Sequence, residues 1–189
     1  MRKSSNRNYH LMAWPALAII CLDQVSKLAV VHSLRLHESV PVITGFFNLV
    51  HIRNRGMAFG LMNRPGFDFA FYFLVIASLA AVTIILLWLF RLQKDDRWLT
   101  LGLSLILGGA LGNLIDRLRL QEVIDFLDFF VGTYHWHTFN VADSAITVGT
   151  FWVAVILVFR SKKDVKQSSQ VVELLIRIKQ DQPPNQSTD

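Results

Sequence analysis

Four aspartates punctuate the middle of this chain at positions that suggest acid–base chemistry. Asp116 closes an apolar run in Gly-Gly-Ala-Leu-Gly-Asn-Leu-Ile-Asp-Arg (108–117), and Asp143 opens the next in Phe-Asn-Val-Ala-Asp (139–143). Asp125 and Asp128 fall in the loop expected between them. A carboxylate at the edge of a hydrocarbon layer is costly, so ionisable residues there point to function. Two carboxylates placed close together cannot both ionise easily and share a proton near neutrality. One then draws a proton from water while the other donates to a carbonyl oxygen, with neither a metal nor a covalent intermediate. By spacing alone Asp116 and Asp143, both at expected helix ends, form such a pair.

Other chemistries are poorly served. The six histidines show no HExxH spacing, and the single Cys21 allows no internal disulfide and no CxxC pair. Neither a G-x-S-x-G elbow nor a P-loop is present. Carboxylates alone can bind Mg²⁺, but Arg117 beside Asp116 opposes a second cation. No metal or cofactor is expected. Asp143 also has a plainer role, because Asn140 is placed to cap a helix and Asp143 to return a reciprocal bond.

The elements that hold these acids are membrane helices. The chain is 52% hydrophobic and only 17% charged, which places it in the membrane class. Its net charge of +5 is scattered and forms no basic stripe, so no nucleic-acid partner is expected. A span needs about 20 apolar residues, and residues 11–31, 69–90, 98–115 and 141–159 qualify. The first carries Asp23 and Lys27, an i,i+4 pair in the favourable order whose charges are tolerable facing other helices. A cleaved signal peptide over residues 1–31 is the competing reading, since Arg2, Lys3 and Arg7 precede it, but its cleavage-site signal is weak. Cys21 follows the bulky Ile20, which suits a packed helical thiol better than a lipid-attachment site.

Basic residues set the orientation. Arg2, Lys3, Arg7, Arg91, Lys94, Arg97, Arg160, Lys162, Lys163 and Lys166 all fall on one side of a four-span chain, which should be cytoplasmic. Both termini are then inside, and residues 32–68 and 118–140 outside. In the first outer segment, Pro41, Gly45 and the alternating Asn48, Val50 and Ile52 read as short strands around a turn. This small sheet would lie on the membrane and roof the site. Phe46, Phe47, Phe59, Phe67 and Phe69 read mainly as an interfacial aromatic belt. Gly108 and Gly112 allow close helix approach. The expected fold is therefore an all-α integral membrane protein of four helices with a small outer β-sheet. Residues 1–160 form the membrane domain. Residues 161–189 form a polar cytoplasmic tail, with a short amphipathic helix over 171–179 and a disordered end.

Five blocks then carry a resemblance: Asp23-x-x-x-Lys27, Asn54-x-Gly-x-Ala-Phe59, the Gly-Gly-x-x-Gly-Asn-x-Ile-Asp-Arg run ending at Arg117, Val123-x-Asp-Phe-x-Asp128, and Phe139-Asn-x-Ala-Asp143. Their order resembles that of the lipoprotein signal peptidase (signal peptidase II) family over residues 11–159. The resemblance implies an inner-membrane aspartyl endopeptidase of bacteria, working at the periplasmic face. Its substrate would be a prolipoprotein, cut on the amino side of a diacylglyceryl-modified cysteine. It also implies a catalytic pair at Asp125 and Asp143, with Asn54, Asn113, Arg117 and Asn140 lining the site and Asp23 and Lys27 supporting it. Membrane lipid is the other expected partner, and the enzyme is expected to act as a monomer. Spacing favours Asp116 and the resemblance favours Asp125. Arg117 beside Asp116 would keep that acid ionised and unfit to share a proton, which favours Asp125. The alternative from another class is a small transporter using the acids as an ion relay. Such sites usually sit near the midplane, whereas these acids cluster at one surface.

Overall fold

The computed structural model describes residues 9–56, 69–92 and 96–180. Four long helices run through it: α1 (Tyr9–Ser33), α2 (Phe69–Arg91), α3 (Arg97–Leu120) and α4 (Val141–Gln180). All four are long and apolar enough to cross a membrane. α3 is the central one, with 61% of its apolar window buried against 17–22% for the others. Its glycines explain that position. A Cβ on Gly108 would stand 2.7 Å from the Ala16 carbonyl of α1, and one on Gly112 would stand 2.7 Å from Asp23 Oδ2. On α4, a Cβ at Gly149 would meet the Gly102 carbonyl at 2.8 Å. Small residues thus seat α3 against both α1 and α4, as Gly108 and Gly112 lead one to expect.

Leu89, Leu99, Leu103, Leu107 and Val153 form the apolar core at the end of the bundle away from the acids. The outward faces stay apolar, with Leu22, Val25, Phe73, Ile76, Ile84 and Phe151 all exposed. A belt of this extent suits hydrocarbon and not water. Cys21 also lies exposed on α1 instead of packed.

A four-stranded antiparallel sheet in the order β1-β2-β3-β4 stands at the acid-bearing end. β1 (Ser39–Ile43) and β2 (Phe47–Asn54) are the hairpin read from the sequence, closed at Gly45 with φ +80°. β3 (Val123–Val131) and β4 (Tyr134–His135) replace the expected loop. Val123-Ile-Asp-Phe-Leu-Asp-Phe-Phe-Val131 is rich in β-branched and aromatic residues, a strand composition that its two aspartates obscure. α3 likewise runs to Leu120, so Asp116 sits inside the helix and not at its end. α4 continues without a break to Gln180, because neither Gly nor Pro occurs between Gly149 and Pro183. The short helix expected at 171–179 is the last part of this extension. Phe47 stacks on Phe129 at 4.6 Å inside the sheet, whereas Phe46 and Phe69 are exposed. Phe59 and Phe67, with the rest of the expected roof, lie outside the described residues.

Candidate active site

Five elements bring the polar residues together at the junction of bundle and sheet: α1 supplies Asp23, Gln24 and Lys27, and β2 supplies Asn54. The C-terminal half of α3 supplies Asn113, Asp116 and Arg117, β3 supplies Asp125, and the start of α4 supplies Asn140 and Asp143. Two linked centres result, one made of fixed charges and one of carboxylates and amides.

Lys27 is the middle of the first centre. Its Nζ lies 2.7 Å from Asp23 Oδ2, 2.8 Å from Asp116 Oδ2 and 3.1 Å from Asn113 Oδ1. An ammonium has three N–H donors, so all are used. Asp23 and Lys27 are 0% and 1% exposed, which settles that their pair faces protein and not lipid. Asp23 Oδ1 also accepts from the Ala142 N–H at 2.9 Å, tying α1 to the first turn of α4. The α1 segment is therefore built into the site. Gln24, which the sequence analysis does not single out, donates to Asp116 Oδ1 at 3.0 Å and to the Gly112 carbonyl at 3.3 Å. Its only sequence signal is its place beside Asp23 and three residues before Lys27. Asp116 is indeed ion-paired, but its partner is Lys27 and not the neighbouring Arg117. Sequence adjacency on a helix puts side chains about 100° apart, so neighbours do not face each other.

The second centre holds Asp125 and Asp143. Asp125 is 1% exposed, and its Oδ2 accepts from Asn54 Nδ2 at 2.9 Å while Oδ1 accepts from Asn140 Nδ2 at 2.8 Å. Asp143 Oδ1 accepts from Asn113 Nδ2 at 2.8 Å. The cap expected at α4 is also present: the Asp143 N–H donates to Asn140 Oδ1 at 2.9 Å, and the Asn140 N–H to Asp143 Oδ2 at 3.3 Å. Asn140 thus caps the helix with one end of its amide and reaches Asp125 with the other. Asn113 joins the two centres, accepting from Lys27 and from Asn140 Nδ2.

Burial lifts the Asp125 carboxyl to about 6. The Asn54 bond pulls it down, the Asp143 charge pushes it up, and Asn140 and Lys27 pull it down again. Asp143 and Asn54 are half-buried, as is Arg117, so the pair has one accessible side. The Arg117 guanidinium donates to the Asn113 carbonyl at 3.3 Å, and its charge acts on Asp143, Asp116 and Asp125. Asp128 does not join them. It faces the other side of β3, where Asn48 donates to it at 3.1 Å and His135 Nδ1 lies at 2.9 Å.

Four membrane-length helices with a buried carboxylate cluster at one end define a multi-pass membrane protein with its site at the end of the bundle. The family model for signal peptidase (SPase) II matches residues 15–159. A lipoprotein signal peptidase of Desulforapulum autotrophicum is 50% identical over 149 residues, which is 78% of this chain and 91% of that protein. Another, of Nitratidesulfovibrio vulgaris, is 44% identical over 80% of this chain and 91% of its own length. A bacterial membrane enzyme structure solved by the in meso method at 2.3 Å resolution superposes with a TM-score of 0.73, at 26% identity, over 83% of this chain and 93% of that one. The chain belongs to the signal peptidase II family of membrane proteases, whose role is cleavage of prolipoprotein signal peptides.

Proposed function

We propose that this protein is an aspartyl endopeptidase that cuts prolipoproteins on the amino side of a diacylglyceryl-modified cysteine, using Asp125 and Asp143. One observation carries the choice of pair. The side-chain amide of Asn140 donates to Asp125 Oδ1 and accepts from the main-chain N–H of Asp143, and the Asp143 charge acts on Asp125, whereas Asp116 is bound to the ammonium of Lys27. Both Asp116 oxygens are taken by fixed donors, Gln24 on one and Lys27 with the Ile124 N–H on the other, which builds this acid into the packing of α1 and β3 against α3.

The surroundings divide the work. Asp143 sits in the first turn of α4, and its two oxygens accept from Asn113 Nδ2 and the Asn140 N–H. Asp125 is the buried member and holds its proton more tightly. Asp143 then takes a proton from water as the oxygen attacks the scissile carbonyl carbon. Asp125 protonates the carbonyl oxygen, giving a neutral tetrahedral intermediate. Its collapse, with a proton passed to the leaving nitrogen, releases the signal peptide. Arg117 and the amides of Asn54 and Asn113 border the accessible side and are placed to hold substrate carbonyls.

The membrane sets the rest. The substrate's acyl chains stay in lipid and the peptide reaches the pair laterally. The outer sheet near Asn54 covers the bound peptide, and a photocrosslinker at Phe59 should capture trapped substrate; no adduct would refute the cover. Both termini face the cytoplasm and the site faces the periplasm, as the basic residues around the spans favour. The enzyme acts as a monomer. Asp125→Asn should abolish cleavage, while Asp116→Asn should mainly lower folded yield. The reverse pattern would overturn the pair.

A further inference from the structure

The sheet contains an irregularity that decides which β2 side chain meets Asp125. Leu49 pairs with Leu127, yet Ile52 pairs with Asp125, Arg53 with Ile124 and Asn54 with Val123. Two β2 residues, Val50 and His51, therefore stand opposite the single Phe126. That is a β-bulge, and both bulged residues are buried in succession. Paired residues share a face of a sheet, as do residues two apart. Asn54 thus shares its face with Val123 and Asp125 and donates to Asp125 Oδ2 at 2.9 Å. Arg53 and Arg55 take the other face, where both reach Glu122, at 3.6 and 2.6 Å.

Without the extra residue, the register that starts at Leu49 and Leu127 would continue evenly. Arg53 would then stand opposite Val123, on the face of Asp125. A one-residue slip moves every later side chain across the sheet. A guanidinium would replace the amide beside a carboxyl that the reaction needs protonated. The bulge also leaves the Phe126 N–H without a β2 partner, and it bonds instead to the Phe139 carbonyl at 3.1 Å, next to Asn140.

His51 is the residue that fixes the bulge. Its N–H donates to the Glu38 carbonyl at 3.1 Å, its carbonyl accepts from the His37 N–H at 2.8 Å, and its Nδ1 lies 3.0 Å from the Leu34 carbonyl. A carbonyl only accepts, so Nδ1 carries the hydrogen. Nε2 is buried and meets no donor among the described residues. His51 therefore ties β2 to the segment between α1 and β1, by one side-chain bond to Leu34 just after α1 and two main-chain bonds to His37 and Glu38 just before β1.

We propose that His51 is a positioning residue that holds the β2 bulge in register, so that Asn54, and not Arg53, faces Asp125. This rests on the reading of Asp125 as a catalytic acid. Asp125 also answers to Asp143 on α4, Lys27 on α1, Arg117 on α3 and the amide of Asn140. His51 itself meets His37 and Glu38 only through their main chains.

The test uses the full chain in native membranes and in detergent. In a Cys21→Ser background, the pair Arg53→Cys and Ile124→Cys should crosslink readily, and Arg53→Cys with Val123→Cys should not. His51→Phe removes the donor and should shift the crosslink toward the second pair. In chains with Arg53 and Ile124 intact, His51→Phe should lower kcat about tenfold or more on a diacylglyceryl-modified prolipoprotein, with KM within about twofold. The alkaline limb of its pH profile should also move down, because the Arg53 guanidinium that replaces the Asn54 amide favours the ionised form of the Asp125 carboxyl. His51→Asn keeps a donor near Nδ1 and should restore both register and rate. If His51→Phe does not accumulate, His51→Leu, which also lacks a donor, takes its place. An unshifted crosslink, or a lower kcat with an unmoved limb, would overturn the proposal. Asp125→Asn run alongside separates the two readings: if it still cleaves, the assignment of the acid has failed, whatever His51 does.

Discussion

Lys27 has three donors and three buried acceptors, one of them the amide oxygen of Asn113. Because a lysine can only donate, it forces Asn113 to turn its oxygen inward and its Nδ2 toward Asp143. Lys27→Met keeps the length of the side chain but strands Asp23 and Asp116. Breaking a buried ion pair from one side typically costs about 3–5 kcal/mol, so thermal unfolding should show a loss larger than that for Asp116→Asn, which leaves Lys27 paired with Asp23. The raised Asp125 carboxyl gives a pH signature of known sign. Folding strengthens its grip on a proton, from 3.8 to about 6, so the folded state binds more protons between those values. Stability should therefore fall as pH rises across that window, by about 3 kcal/mol in total from this group. Melting curves from pH 4 to 6.5 should show a shallower fall for Asp125→Asn than for wild type. Parallel slopes would contradict the shift. At this scale the acids and amides were legible in the sequence, and the partner of Asp116 was not. Nothing in a linear chain indicates that Lys27, 89 positions away, is nearer to Asp116 than Arg117 beside it.

The elements that carry these residues were legible to different degrees. Spans announce themselves by length and hydropathy, and the first hairpin by its alternation and Gly45. β3 was hidden because two aspartates interrupt an otherwise strand-like run, and its burial is made tolerable by partners from β2, β4 and Asn140 before α4. The bulge is set by contacts between β2 and the segment joining α1 to β1, so no local pattern announces it. Gly112 is one of the places where α3 meets its neighbours closely. Gly112→Ala would bring a methyl carbon within 2.7 Å of Asp23 Oδ2 and 3.4 Å of the Ala142 side chain. It should separate α1 from α3, loosen the Lys27 cluster and lower both folded yield and activity. Wild-type melting and cleavage in Gly112→Ala would contradict the close approach.

Across the whole molecule, the termini of α1, α3 and α4 that carry the site meet at one end. The Trp98–Trp152 contact and the Arg160–Asp96 ion pair lie at the other. This gives a labelling test of orientation in a Cys21→Ser background. An impermeant maleimide should reach Glu38→Cys from the periplasm, and Ser168→Cys only after the membrane is opened. The opposite pattern would invert the topology. α4 runs about 30 Å beyond Arg160 at 1.5 Å per residue, and that extension lies outside the stretch matched by the family. Truncation after Arg160 should therefore leave cleavage intact.

The most direct measurement is a gel-shift assay on a purified diacylglyceryl-modified prolipoprotein, with wild type, Asp125→Asn and Asp143→Asn compared at equal folded yield. Cleavage by wild type alone is the predicted result. Equal cleavage by Asp143→Asn would reduce that residue to a helix cap, and no cleavage by well-folded wild type would contradict the peptidase assignment itself.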